Sequence, residues 1–419
     1  MSDKFRKRII HSLLYGRSFL LSILIGVLCG LVCGLVGCAF LAVTDLAYAR
    51  SGLWPWTVFF LPLAGLLIVF LYHRAGVYED RGTNLVLESV RTSQRVPLRT
   101  GILIFVSTAL THLCGGSSGR EGACLQIGAS VGQTIGKLFH FDEQNLHLIT
   151  MCGMSGLFTA LLGTPITAAV FSMEVISVGV LYHSAFIPCL VTAMIVFALR
   201  NMFGFPAETA VIARIPEVTL LSLGRILLLG VACSLVAILF CYLLHHTGQF
   251  LKKWIPNAYL RAAAGGLLVA ALTLLAGTRD YNGPGLAIAF RAVEGEARPE
   301  AFLLKMLFTA VTLGSGFKGG EIVPSFFVGA TFGSLAGSFL GLPAGFSASL
   351  GMIGLFCGVV NCPVSSLLLS VELFGSQGMI FYALMCGTCY VLSGYYGLYS
   401  SQTILYSKTR PSFINRKTL

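Results

Sequence analysis

The long apolar runs of this chain limit its possible folds more than any other feature. They include residues 19–43, 54–72, 148–173, 178–199, 220–244 and 378–391. A helix of about 20 apolar residues crosses the hydrocarbon core of a bilayer. Hydrophobic residues make up 56% of the 419-residue chain and charged residues only 11%, a composition outside the range of soluble domains. The sequence therefore predicts an all-α polytopic membrane protein.

The formal net charge of +11 does not indicate a nucleic-acid partner, because the basic residues lie mainly at the two ends of the chain and in loops. The clusters consist of Lys4, Arg6, Lys7 and Arg8 before the first apolar run and Lys408, Arg410, Arg416 and Lys417 after the last. Basic residues favour the cytoplasmic side of a membrane. Both termini are therefore predicted to be cytoplasmic, with an even number of complete crossings between them.

A glycine-rich stretch, residues 115–122 with the sequence GGSSGREG, interrupts the apolar pattern. It places Arg120 and Glu121 in an apolar neighbourhood, where an ionisable residue usually faces a cavity, an ion path or a partner. Glycine permits the tight turns of a broken helix, and a helix that starts near Glu121 would direct free N–H groups at an anion. The alternative is an interhelical loop that carries an Arg–Glu pair at the membrane surface.

The chain also repeats itself at a nearly constant spacing. Positions 116–117, 120 and 122 match 314–315, 318 and 320 at a spacing of 198, with Arg120 opposite Lys318. The small residues at 128–129, 132 and 136 match 329–330, 333 and 337 at a spacing of 201, and positions 156–158, 165 and 174 match 354–356, 363 and 372 at 198. We predict a duplicated unit, with repeat one at about 15–205 and repeat two at about 215–405, whose glycine-rich breaks meet near the bilayer midplane.

The second break carries its own acid, Glu321, within the sequence FKGGEIVP of residues 317–324. Two carboxylates beside a common cavity are able to carry protons, because burial and helix dipoles act on their pKa in opposite directions. The alternative is that Glu321 is a helix N-cap or first-turn acid, since acids favour that position for dipole reasons alone.

These motifs resemble those of the CLC family of chloride channels and proton-coupled anion antiporters. Residues 119–123, GREGA, resemble the family's G-R-E-G-P element, residues 320–324, GEIVP, resemble G-x-F-x-P, and residues 82–86, GTNLV, resemble G-S-G-I-P. The segment LYS at 398–400 resembles the one that brings a tyrosine to the central anion. The resemblance implies a bundle of two inverted repeats with broken helices, assembled as a homodimer in the plasma membrane (the bacterial inner membrane).

Several departures from the family pattern resemble its fluoride/proton antiporter branch. Ala123 replaces the proline of G-R-E-G-P, and Glu321 precedes Ile322 where the family has phenylalanine. The inner glutamate of proton-coupled chloride exchangers is replaced by Val175. Thr83 stands where the family has serine and many fluoride exporters have methionine, so a chloride/proton antiporter or a voltage-gated-type chloride channel is the alternative function.

The resemblance also implies roles for individual residues. Glu121 would be the gating glutamate that occupies the anion path and transfers protons, with Glu321 as a second proton or anion residue. The implied anion-binding positions are Thr83, Tyr399, Gly320, Glu321, Ile322, Arg120, Gly122 and Ala123, the first two through their side chains. Fluoride or chloride and protons are the expected ligands, with no cofactor, metal or nucleic acid. No cytoplasmic regulatory domain is expected after residue 405.

Other polar residues receive structural interpretations. His112 is interpreted as a buried, backbone-bonded histidine rather than a proton relay, and Glu174 and Glu372 as helix-end or loop-contacting acids. Asp45 and Lys305 are interpreted as interfacial, because lysine snorkels readily. The 13 cysteines lack metal-ligand spacing and are expected to be buried free thiols.

An intramembrane hydrolase is the alternative from a different class of protein. It would use Glu121 with His112 and take Ser117 or Ser118 as its nucleophile, but the sequence offers no third group to orient a base. We therefore expect transport rather than catalysis.

Overall fold

A computed structural model describes residues 3–92 and 94–419, with side chains from residue 15 onward. The basic side chains at positions 4, 6, 7 and 8 lie outside this description. Within it, the prediction of an all-α protein is confirmed, because helices make up most of the chain. A small three-stranded sheet, absent from the sequence prediction, is the exception.

The helices fall into two successive sets of eight within the described residues. The first set is α1 (Asp3–Leu53), α2 (Leu61–Arg74), α3 (Thr83–Arg91), α4 (Leu98–Leu113), α5 (Glu121–Leu138), α6 (Glu143–Leu162), α7 (Pro165–Glu174) and α8 (Phe186–Met202). The second set is α9 (Leu220–Trp254), α10 (Ala258–Ala276), α11 (Leu286–Val293), α12 (Ala301–Gly314), α13 (Ile322–Phe339), α14 (Ala344–Val360), α15 (Pro363–Phe374) and α16 (Met379–Leu392). Short 3-10 helices at Pro55–Phe60 and His183–Ala185 precede α2 and α8.

Helix lengths place the two glycine-rich breaks inside the membrane. Seven helices of the described residues are long and apolar enough to cross a bilayer, among them Tyr15–Leu53, Glu143–Leu162 and Leu220–Trp254. By contrast, α4 has 16 residues and α12 has 14. These helices rise only about 24 and 21 Å, less than the roughly 30 Å hydrocarbon core. The breaks that follow them therefore begin before the far surface is reached.

The backbone corrects the spacing of the repeat around the breaks. Gly115 and Gly316, which follow α4 and α12, both adopt positive φ angles, of 73° and 102°, and they lie 201 positions apart. α5 and α13 also begin 201 positions apart, so the position opposite Arg120 is Glu321 and not Lys318. The spacing becomes 198 only at the ends of α6 and α14, since α6 has 20 residues and α14 has 17. The predicted spacing of 198 for the glycine-rich breaks was wrong. The Gly-Ser pairs at 116–117 and 314–315, on which it was based, match by chance.

Small residues at the helix crossings explain the part of the repeat that does hold at 201. A Cβ atom at Gly128 in α5 would lie 2.1 Å from the carbonyl oxygen of Gly153 in α6. The second half reproduces this crossing, since a Cβ atom at Gly329 would lie 2.4 Å from the carbonyl oxygen of Gly351. Both crossings therefore require glycine, which allows two membrane helices to pack backbone against backbone.

Lys305 is not interfacial, and that interpretation was wrong. Its side chain is fully buried in α12, and its Nζ atom donates to the carbonyl oxygens of Tyr281 at 3.2 Å and Gly283 at 2.7 Å. These carbonyls belong to the loop between α10 and α11 and take the place of water around the ammonium group. Asp45 is half-exposed and pairs with Arg120. The 13 cysteines are free and buried, as predicted.

The three strands form a small sheet that involves the end of the described chain. β1 (Ser177–Val178) pairs in parallel with β2 (Thr403–Tyr406), and β2 pairs antiparallel with β3 (Phe413–Lys417). An irregularity in the register lies between Ile404 and Tyr406. The sheet thus joins the segment after α7 to the segment after α16.

Candidate anion and proton site

The two glycine-rich breaks meet, as the repeat predicts. Gly119 and Gly320 form an antiparallel bridge, in which each N–H donates to the other's carbonyl oxygen at 2.7 and 2.8 Å. These two positions are equivalent in the repeat, and a two-fold axis between inverted repeats relates equivalent residues in this way. A Cβ atom at Gly320 would lie 2.6 Å from the backbone nitrogen of Gly122, so the contact requires glycine.

The carboxylate of Glu121 lies where the two repeats meet. Glu121 is the first residue of α5 and is fully buried. Its Oε2 atom accepts hydrogen bonds from the N–H of Arg120, at the N-cap of α5, and from the N–H of Val323, in the first turn of α13, each at 3.1 Å. Helix N-termini attract negative charge, so the carboxylate occupies a position that also suits a free anion. Its other oxygen, Oε1, is buried without a hydrogen-bond partner among the described residues.

Arg120 contributes its backbone to this position while its side chain points elsewhere. The guanidinium Nη1 donates to Thr44 Oγ1 at 3.1 Å and pairs with the carboxylate of Asp45, both on α1. The first glycine-rich break is therefore anchored to α1 by an ion pair. The N–H of Arg120 remains directed at Glu121.

Thr83 lies beside the start of α5. It is the first residue of α3, after Gly82 with a φ of 55°, and it is buried. Its Oγ1 atom lies 3.5 Å from the carbonyl oxygen of Gly122. Ala123 and Ile322 are also fully buried, in the first turns of α5 and α13. The structure therefore brings the start of α3 together with the first glycine-rich break.

Glu321 occupies the N-cap position of α13, but its side chain makes no capping hydrogen bond. Its Oε2 atom is buried and has no hydrogen-bond partner among the described residues. A buried carboxyl oxygen without a donor is costly unless the group is protonated or receives a partner during function. Glu321 therefore occupies the N-cap position that the alternative interpretation requires. It does not make the capping hydrogen bond that would give the side chain a purely structural role.

Tyr399 is buried, and its hydroxyl oxygen also has no hydrogen-bond partner among the described residues. Leu398, the preceding residue, donates its N–H to the carbonyl oxygen of Val359 at 2.8 Å. The phenol is thus held by its backbone and by packing, and its polar atom is free for a ligand.

Several residues considered in the sequence have structural roles. His112 is buried, and its Nδ1 atom lies 2.7 Å from the carbonyl oxygen of Thr108, so the backbone-bonded interpretation is confirmed. The hydroxyl of Ser117 lies 3.1 Å from that of Thr309, a pairing that gives no support to the hydrolase alternative. No group of three or more His, Cys, Asp or Glu able to hold a metal ion occurs in the part of the chain that the structure describes.

An ion pair that the sequence analysis missed lies next to the site. Lys318, in the second break, donates to the carboxylate of Asp80 at 2.6 Å, and its Nζ atom lies 4.5 Å from the ring centre of Tyr72. Asp80 also accepts the N–H of Gly82, just before Thr83, at 3.0 Å. The signal was present, because a lysine in an apolar break requires a partner. The N–H of Val323, a residue that was not among the predicted anion-binding positions, contacts the Glu121 carboxylate.

The sequence profile of the family described as voltage gated chloride channel matches residues 64–394, well over half of the chain. The chain belongs to this family. The resemblance to CLC proteins is therefore confirmed, together with an all-α fold shared with CLC transporters. Proteins of this family carry ions across membranes, and the buried site between the two repeats is where this fold brings the sequence motifs together.

Individual CLC relatives agree with this assignment. A chloride/fluoride channel protein of Pseudomonas syringae pv. tomato is 33% identical over 376 residues, which are 88% of this chain and 83% of the relative. ClcA of Vibrio cholerae, an H(+)/Cl(-) exchange transporter, is 27% identical over 361 residues, 78% of this chain and 74% of the relative. The crystal structure of a CLC-type fluoride/proton antiporter has a TM-score of 0.85 at 29% identity, covering 93% of this chain and 98% of that chain.

A more distant solved structure supports the fold alone. A slow cyanobacterial Cl-/H+ antiporter has a TM-score of 0.76 at 18% identity and covers 89% of this chain and 94% of its own.

Proposed function

We propose that the protein is a fluoride/proton antiporter that exports fluoride from the cytoplasm. The observation that carries the proposal is the position of the Glu121 carboxylate, which is buried and accepts N–H groups from the starts of both α5 and α13. Two helix N-termini that converge on one carboxylate would stabilise a free anion in the same place. The Glu121 carboxylate and the transported anion therefore compete for one position.

This competition supplies the coupling. Protonation of Glu121 removes its negative charge and weakens its attraction to the N–H groups of Arg120 and Val323. The neutral side chain leaves, and an anion takes its place. When the anion departs, Glu121 releases its proton and returns as a carboxylate. An inward proton gradient then drives an anion outward.

Two features favour fluoride over chloride. Fluoride is a strong hydrogen-bond acceptor, and a protonated carboxyl group is a donor that suits it. Glu321 offers such a group, with a buried oxygen that has no partner among the described residues. Relatives named as a chloride/fluoride channel protein and a CLC-type fluoride/proton antiporter support the same choice.

Chloride/proton antiport, or passive chloride conduction, is the second candidate. The observation that favours it is Thr83, whose hydroxyl lies at the start of α3 next to the carbonyl oxygen of Gly122. A hydroxyl in this place is a donor for a larger anion. The H(+)/Cl(-) exchange transporter of Vibrio cholerae is a relative with this chemistry in its name.

Efflux from liposomes separates these functions. Purified protein is reconstituted into vesicles loaded with fluoride or chloride, and efflux is followed with anion-selective electrodes while a pH dye reports proton influx. We expect fluoride efflux with stoichiometric proton influx and little chloride efflux. Chloride efflux with proton influx would support the exchanger, and chloride efflux without proton movement would support the channel.

We further propose the plasma membrane, in bacteria the inner membrane, as the location, with both termini cytoplasmic and the chain forming one transmembrane domain of two repeats. The assembly would be a homodimer, each subunit with its own path. Native mass spectrometry from detergent would measure the assembly. Labelling of single cysteines placed near residues 16 and 410, in a variant without the native cysteines, would report the sidedness of the termini.

A further inference from the structure

The last strand of the chain reaches the candidate site, although the family profile ends at residue 394. β3 pairs antiparallel with β2, which begins shortly after Tyr399. Among residues 411–419, Thr418 alone is buried, with 7% of its surface exposed. A buried polar side chain on an otherwise exposed segment needs a hydrogen-bond partner.

The partner of Thr418 is the backbone of Tyr399. The Thr418 hydroxyl donates to the carbonyl oxygen of Tyr399 at 2.6 Å, and its backbone N–H donates to the carbonyl oxygen of Gln402 at 3.1 Å. The next residue, Leu419, donates its N–H to the carbonyl oxygen of Tyr395 at 2.8 Å. Three hydrogen bonds from two consecutive residues therefore hold the backbone at and on both sides of Tyr399.

The same segment is bonded to α3, the helix that begins with Thr83. Ser401 donates its N–H to the side-chain oxygen of Asn84 at 2.8 Å and its hydroxyl to the backbone oxygen of Asn84 at 3.1 Å. A cavity of about 290 Å³ opens here, lined by Asn84, Ser401 and Lys417 of β3 among others. The end of the chain, Tyr399 and the start of α3 thus form one hydrogen-bonded unit beside a polar cavity.

We propose that Thr418 is a positioning residue of the anion site, which acts by fixing the backbone of Tyr399. The Tyr399 hydroxyl has no hydrogen bond of its own within the described residues, so the place of its oxygen depends on how its backbone is held. Loss of the Thr418 hydroxyl bond lets the phenol shift and weakens its contact with the anion. This inference rests on the proposed function and on the predicted role of Tyr399 as a side chain beside the central anion.

The test compares the Michaelis constant for anion efflux in matched variants. Thr418→Val removes the hydroxyl at nearly constant size, Thr418→Ser keeps it, and Thr409→Val changes an exposed threonine in the turn before β3. We expect Thr418→Val to raise KM by about three- to tenfold, the effect of one hydrogen bond, with kcat unchanged. Thr418→Ser and Thr409→Val should resemble wild type. Should Thr418→Val reduce the yield of folded protein, Thr418→Ala, which also lacks the hydroxyl, replaces it in the comparison.

A second background separates positioning from general stability. The Tyr399→Ala variant has no phenol to position. The double variant Tyr399→Ala/Thr418→Val should therefore have the same KM as Tyr399→Ala alone. Additive effects on KM, or a loss of kcat and thermal stability at constant KM, would overturn the positioning role. An unchanged KM in Tyr399→Ala itself would instead contradict the proposed site. The measurement uses whichever anion the wild-type protein exports.

Discussion

Glu174 and Glu372 each cap the helix that carries the other. The Glu174 carboxylate, at the end of α7, accepts the N–H groups of Val364 and Ser365 at 3.1 and 2.8 Å. The Glu372 carboxylate, in α15, accepts those of Ile166 and Thr167 at 3.0 and 2.8 Å. The interpretation of both as helix-end acids is confirmed, and it explains why their spacing follows the duplication.

This exchange predicts a stability effect without a transport effect. Glu372→Gln keeps an acceptor oxygen but removes the charge that the first turn of α7 attracts, which is worth about 0.3–2 kcal/mol at a helix N-terminus. We expect a lower thermal unfolding temperature in detergent and an unchanged KM for the anion. Glu294→Gln, at an exposed acid, is the matched control. A raised KM in Glu372→Gln would mean that this carboxylate belongs to the ion path.

Glu121→Gln should abolish proton coupling. The amide resembles the protonated side chain in shape and cannot release a proton, so the exchange between carboxylate and anion stops. The measurement is proton influx driven by an outward fluoride gradient in liposomes. Proton influx that persists in this variant would remove Glu121 from the mechanism, whereas uncoupled fluoride flux is compatible with it.

The side chain at position 83 should tune anion selectivity. Thr83 lies at the start of α3, 3.5 Å from the carbonyl oxygen of Gly122, and pore-lining groups set the field that an ion experiences. We expect Thr83→Met to keep fluoride efflux and Thr83→Ser to admit more chloride. The ratio of the two efflux rates is the readout, and an identical ratio in both variants would place Thr83 away from the anion.

The sequence predicted the parts of the site that carry charge in apolar surroundings. Glu121 was identifiable because burying a carboxylate between apolar runs is costly unless it has a function or a partner. The match of positions 156–158, 165 and 174 with 354–356, 363 and 372 identified the duplication. Contacts to backbone carbonyls leave no such pattern. Lys305 pairs with carbonyls of a distant loop, and Thr418 with that of Tyr399, so neither partner is visible in the residues.

The Asp80–Lys318 pair should stabilise the region next to the site. Both side chains are mostly buried, at 9% and 18% exposure, and removing one partner of such a pair costs about 3–5 kcal/mol. Burial raises the pKa of Asp80, but Lys318 outweighs this and holds it below the usual aspartate value. The pair therefore stabilises the fold above the ordinary aspartate pKa, and this contribution is lost as the pH falls through the lowered value.

Lys318→Met should accordingly lower the unfolding temperature at neutral pH and raise KM, since the pair joins the loop before Thr83 to the break before Glu321. Adding Asp80→Asn should recover part of the stability, because it removes the unpaired charge while keeping an acceptor for Gly82. Lys252→Met breaks the exposed pair with Glu79, 3.2 Å apart, and should have little effect. Additive losses in the double variant would argue against a direct interaction.

The last prediction concerns Glu321 as the second proton residue. Val175 cannot carry a proton, whereas Glu321 places a buried, unpaired oxygen at the N-cap of α13. Val323, two residues later, holds the Glu121 carboxylate through its N–H. We therefore expect Glu321 to lie on the path along which Glu121 and the anion exchange, where a protonated carboxyl group is able to donate to fluoride.

Two substitutions divide this role into its parts. Glu321→Gln keeps a hydrogen-bond donor but loses the titratable proton, so we expect fluoride efflux to continue with weakened proton coupling. Glu321→Ala loses both the donor and the titratable proton, so we expect fluoride efflux and proton influx to fall together. Fluoride efflux and proton influx are measured together in each variant. Wild-type coupling in Glu321→Ala would mean that this acid only occupies a cap position and that the proton takes a different route, leaving Glu121 as the sole exchanging carboxylate.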